Sequence, residues 1–129
     1  MPQLFPPVTK ELAHARNALA PETAAAFQTF SRQVFVEGAL AAKTKQIIAV
    51  AVAHVTQCPY CIKGHTKAAL RAGASDEELM EAIWVAAEMR AGGTYAHSLL
   101  AVAEMDAGSA GGSNAGRPSP ELGGEEHAG

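Results

Sequence analysis

Cys58-Pro59-Tyr60-Cys61-Ile62-Lys63-Gly64-His65 holds the only two cysteines of the chain three positions apart, with a histidine four positions after the second. Read as helix, the stretch puts Cys58, Cys61 and His65 on one face. Pro59 suits the first turn of such a helix, so Cys58 falls at or just before its N-terminus, and Ala72-Gly73 closes it. This segment therefore sets both a helix and a candidate site.

The neighbouring segments are helical in the same way. A helix is expected from about Thr9 to Ala20, and Pro21 opens a second. There Ala24, Phe27, Phe30, Val34 and Phe35 recur at helical spacing, before Gly38 offers a stop. Ile47, Ile48, Val50, Val52 and Val55 are β-branched enough for a strand, yet the run from about Ala42 to Thr56 is of helix length and reads as a buried helix. Ser75 followed by Glu78 forms a capping box that opens another helix through Leu79, Ile83, Trp84 and Ala87, with Trp84 and Met89 expected in the core. Gly92-Gly93 is a candidate break before a last helix from Thr94 to about Met105. The expected fold class is all-α, with no convincing strand and no repeat. Residues 1–8 form a proline-rich arm, 9–106 the helical domain, and 107–129 a Gly/Ser/Pro-rich tail read as disordered.

Composition narrows the function. Much of the 48% hydrophobic fraction is alanine, which buries little area per residue, so an obligate homo-oligomer is expected. A net charge of -3 without a basic stripe argues against nucleic acid as partner. No signal-like start is visible, and the apolar run from Ile47 to Val55 is too short to span a bilayer. A soluble, cytoplasmic protein without a membrane partner is the expectation. In a reducing compartment a cysteine pair is more often catalytic or metal-binding than a structural staple.

A cysteine at a helix N-terminus feels unpaired N–H groups and the positive end of the dipole, which favours the thiolate at Cys58. Cys61 has His65 at i+4, where an imidazole can take its proton. Zinc would need four ligands, and there is no second cysteine pair, so neither a metal nor another cofactor is assigned. Tyr60 between the cysteines either packs or lends its hydroxyl to a proton network. His54 and His97 lie near apolar stretches, where a histidine is more often core or interface than catalyst.

The chain resembles the AhpD-like alkylhydroperoxidases of the carboxymuconolactone decarboxylase superfamily. The residues that carry the resemblance are Lys43-Thr44-Lys45-Gln46-Ile47-Ile48-Ala49-Val50-Ala51-Val52-Ala53-His54, Cys58-Pro59-Tyr60-Cys61 with His65, Lys67-Ala68-Ala69 and Ala72-Gly73-Ala74. It covers about Gly38 to Ser98, roughly half of the chain. The resemblance implies an AhpD-like helical bundle assembled as a trimer or hexamer. It also implies hydroperoxide reduction for antioxidant defence, with Cys61 peroxidatic, Cys58 resolving and His65 in a proton relay. A dithiol, thioredoxin-like or lipoyl protein would be the reductant. The family's relay also uses a glutamate twelve positions before the first cysteine, and Gln46 occupies that position here. Glutamine can orient a histidine but cannot accept and return a proton near neutral pH. Glu37, Glu88 and His54 are candidates to supply the missing group, and His54, eight positions after Gln46 on the same helix, is favoured. The alternatives are a lactone enzyme like carboxymuconolactone decarboxylase, and a non-catalytic redox or metal-binding helical oligomer.

Overall fold

The structure, a computed structural model, describes residues 4–109. Five α-helices and no strand lie among them: α1 (Lys10–Leu19), α2 (Pro21–Phe35), α3 (Ala42–Thr56), α4 (Pro59–Arg71) and α5 (Asp76–Ser109). The chain is all-α. It forms two compact units, residues 1–91 with α1 to α4 and the start of α5, and residues 92–129, of which the rest of α5 is described. No described helix is long and apolar enough to cross a membrane.

Local chemistry sets most helix boundaries. The Thr9 hydroxyl accepts the Leu12 N–H at 3.1 Å and caps α1, while Pro21 begins α2 at a position where a missing N–H costs nothing. The capping box before α5 is reciprocal, with Glu78 N–H donating to Ser75 Oγ and Ser75 N–H donating to Glu78 Oε1, each at 3.0 Å. The same carboxylate meets Lys43 Nζ at 3.1 Å and ties the first turn of α3 to the first turn of α5. Glu78 is held below the usual carboxylate range, first by the Ser75 N–H and then by Lys43.

The joint between α3 and α4 places the cysteines. Gln57 adopts the left-handed conformation (φ 59°, ψ 41°), and its N–H donates to Ala53 O. Cys58 N–H reaches the same carbonyl at 3.2 Å. The chain thus reverses sharply after α3 and delivers Cys58 to the N-cap of α4. A non-glycine residue here costs roughly 1–2 kcal/mol, partly offset by the bond from Gln57 Nε2 to His54 O. Gln57→Gly is accordingly expected to stabilise the fold by about 0.5–1 kcal/mol, read as a higher midpoint in thermal or denaturant unfolding.

The core is small. Val50 of α3, Ala69 of α4, Ala74 of the turn after α4 and Leu79 of α5 form its buried cluster, with Ile47 and Ile83 packed against it. Val50 is the one large side chain fully buried among the described residues. The expectation of a buried α3 holds for one side only, since Val50 and Ala53 are buried while Ile48, Val52 and Val55 are exposed. Trp84 and Met89, expected in the core, are 66% and 63% exposed. Five positions apart, they lie about 140° from each other around α5, and nothing within the first unit buries either of them. The break at Gly92-Gly93 is also absent, as α5 continues through both glycines. Helix-interior glycine costs only about 1 kcal/mol relative to alanine, which a long helix can absorb. Residues 107–109 of the expected tail belong to α5, and residues 110–129 lie outside the described region.

Candidate functional site

Cys58 is the N-cap of α4, and its sulfur accepts the Cys61 N–H at 3.3 Å. The two Sγ atoms are 2.6 Å apart and both cysteines are free thiols, half-buried, so that one S–H lies between the two sulfurs. Of the two, Cys58 is the more readily ionised. Its thiol is held below the ordinary range first by the Cys61 S–H, then by the Cys61 and Tyr60 backbone N–H groups. Cys61 moves the other way, because its hydrogen bond with Cys58 favours the thiol, because burial disfavours its charge, and because a charge on Cys58 repels a second one.

The pair titrates as a unit, so two steps are expected, one below and one above the ordinary thiol value of about 8.5. Thiolate absorbance in the ultraviolet reads both. Cys61→Ala removes the S–H donor and is expected to move the Cys58 step upward. Cys58→Ala removes both the acceptor and the charge, and moves the Cys61 step downward.

His65 follows Cys61 by one turn of α4. Its Nδ1 is 2.8 Å from Gln46 Oε1 on α3. An amide oxygen only accepts, so Nδ1 carries the proton and Nε2 is left as the basic nitrogen. The Phe35 ring stacks on the imidazole, with centroids 5.0 Å apart and planes inclined by 28°. Cys61 and His65 line one cavity of 410 Å³ with Val34, Phe35, Ile48, Val52 and Lys45 among the other walls. Among the described residues they share no hydrogen bond, so the cavity lies between a thiol and a base rather than closing them on each other.

The remaining candidates are placed elsewhere. His54 Nδ1 bonds to Val50 O of its own helix at 2.7 Å. It lines a separate cavity with Gln57, Ile83, Ala86, Ala87 and Arg90. Tyr60 donates its hydroxyl to Pro6 O at 2.8 Å and meets the Phe5 ring edge-on, 6.0 Å between centroids, so it binds the N-terminal arm. Glu37 and Glu88 are not among the residues lining the Cys61 cavity, and His97 lies in the second unit. No cluster of three or more His, Cys, Asp or Glu suited to a metal ion occurs among the described residues. Phe35 and Lys45 are the site residues that sequence reasoning did not single out for the site. Phe35 stood out only as one apolar position of a helix, and Lys45 only as part of a resembling run.

Comparison with known proteins agrees with this architecture. Residues 21–104 match the carboxymuconolactone decarboxylase family. An uncharacterized protein of Paracoccus denitrificans, the fourth in a cox locus, is 64% identical over 81 residues, 63% of this chain and 73% of its own. A crystal structure from Methanobacterium thermoautotrophicum superposes with a TM-score of 0.62 at 36% identity, covering 64% of this chain and 93% of that one. A carboxymuconolactone decarboxylase family protein from Legionella pneumophila, in its apo form, gives 0.56 at 37% identity over 61% and 70%. This chain belongs to the carboxymuconolactone decarboxylase family.

Proposed function

We propose that the protein reduces hydroperoxides with its cysteine pair, as an antioxidant enzyme whose disulfide is returned to the dithiol by an external dithiol, thioredoxin-like or lipoyl protein. The observation that carries this reading is the pairing of Cys58 with Cys61 at the start of α4, where Cys61 and His65 form two walls of one largely apolar cavity.

Cys61 gives its proton to His65 Nε2, and its thiolate attacks the terminal oxygen of the hydroperoxide. The O–O bond breaks, Cys61 becomes a sulfenic acid, and the leaving oxygen takes the proton back from His65 as an alcohol. Cys58, already favoured as thiolate, attacks the Cys61 sulfur, and the S–O bond breaks with release of hydroxide, protonated to water. The sum is one hydroperoxide and two thiols converted to alcohol, water and a disulfide. Gln46 orients His65 throughout but does not carry the proton further.

A homo-oligomer, trimer or hexamer, belongs to the same reading. Phe27, Phe30, Trp84 and Met89 are each more than 60% exposed in a chain with one large fully buried side chain. Exposed apolar side chains of this number and size are normally covered by another protein surface. The cytoplasm, where a dithiol reductant is available, is the proposed location.

The test is hydroperoxide consumption coupled to a dithiol, with native and thiol-alkylated protein side by side. Consumption by the native protein alone is expected. Equal consumption after alkylation would sink the proposal, and lactone decarboxylation insensitive to alkylation would replace it.

A further inference from the structure

Lys45 reaches back from the first turn of α3 to the end of α2. Its Nζ donates to Val34 O at 2.9 Å and to Val36 O at 2.6 Å. These two carbonyls flank Phe35, the last residue of α2, with Val36 as the cap. Phe35 in turn lies stacked on the His65 ring. The clamp is thus one residue away, on either side, from the aromatic that covers the imidazole.

We infer that Lys45 is a positioning residue for His65: by holding the carbonyls on both sides of Phe35, its ammonium fixes the phenyl ring against the imidazole. The imidazole is then kept in the plane from which Nδ1–H meets Gln46 and Nε2 stays free. Three features favour a clamp over an ordinary surface lysine. A lysine near a helix C-terminus meets carbonyls that have no intrahelical partner and the negative end of the dipole, so both bonds are charge-assisted. Lys45 is half-buried and lines the same cavity as Phe35, Cys61 and His65, which brings clamp, cover and reacting groups into one enclosure. The link between α2 and α3 otherwise runs through the six residues 36–41, where the Gly38 N–H to Leu40 O bond is local and fixes neither carbonyl.

Without the ammonium, the last turn of α2 has no tie to α3 at this point and Phe35 is free to leave the ring. His65 then keeps one restraint, the Gln46 bond, in place of two. The inference concerns the geometry of His65 and depends on the peroxidase reading only for its effect on turnover.

The test reads the ring itself in the full-length protein, by NMR of histidine labelled with 15N and 13C. A stacked phenyl displaces the imidazole carbon-bound protons upfield, and the nitrogen shifts report the Nδ1–H tautomer. Phe35→Leu assigns the ring-current displacement by abolishing it. Lys45→Met is expected to lose most of that displacement and to mix the tautomers, while Lys45→Arg, which keeps a charged donor for both carbonyls, retains them. Lys45→Gln, a milder loss with a single amide donor, is expected to fall between, and serves if Lys45→Met does not fold. If folded Lys45→Met or Lys45→Gln shows the native displacement and tautomer, the inference is overturned, whatever the hydroperoxide assay says. Native NMR signatures with no hydroperoxide consumption would leave it standing and remove the proposed function instead.

Discussion

Gln46→Glu is expected to raise hydroperoxide consumption at pH 7 by about 10- to 100-fold, within the range that a positioned acid–base group contributes. Gln46 Oε1 already lies 2.8 Å from His65 Nδ1, so the substitution changes charge with little change of shape. A carboxylate there stabilises a proton on the imidazole and strengthens its ability to take one from Cys61 and return it to the leaving oxygen. Glutamine supplies the orientation and none of the charge. Stopped-flow consumption across pH 5 to 9 checks this, and the gain should be largest on the limb where His65 acts as base. An unchanged profile would mean that the relay runs through another group.

Cys58→Ser and Cys61→Ser should both end turnover, for different reasons. With Cys58 gone, Cys61 still reduces a single equivalent of hydroperoxide and stops as a sulfenic acid, because the partner sulfur 2.6 Å away has been removed. With Cys61 gone, the thiol on the cavity wall is lost and no such burst is expected. Mass spectrometry with a sulfenic-acid trap distinguishes the two. A burst in Cys61→Ser and none in Cys58→Ser would reverse the assigned roles, an outcome that the readier ionisation of Cys58 makes worth measuring.

What could be read from the sequence was chemistry written locally. Thr9 and the Ser75–Glu78 box start helices by satisfying nearby N–H groups, Pro21 and Pro59 by having no N–H to leave unpaired, and the structure places helix starts at each. Contacts between elements were harder. His54 is eight residues from Gln46, and eight steps of about 100° leave it about 80° around the helix, enough to face a different cavity. Spacing along α2 identified Phe35 as apolar but held no sign that its neighbours' carbonyls meet Lys45 across the loop. Trp84 and Met89 show the same limit, since a large apolar side chain in a helix calls for cover without saying what supplies it.

The tether between Tyr60 and Pro6 has a consequence for mutagenesis. Tyr60, one of the two residues between the cysteines, is held through one hydrogen bond to Pro6 and an aromatic contact with Phe5. A substitution at Phe5 or Pro6, more than fifty positions before the cysteines, therefore acts on the redox motif itself.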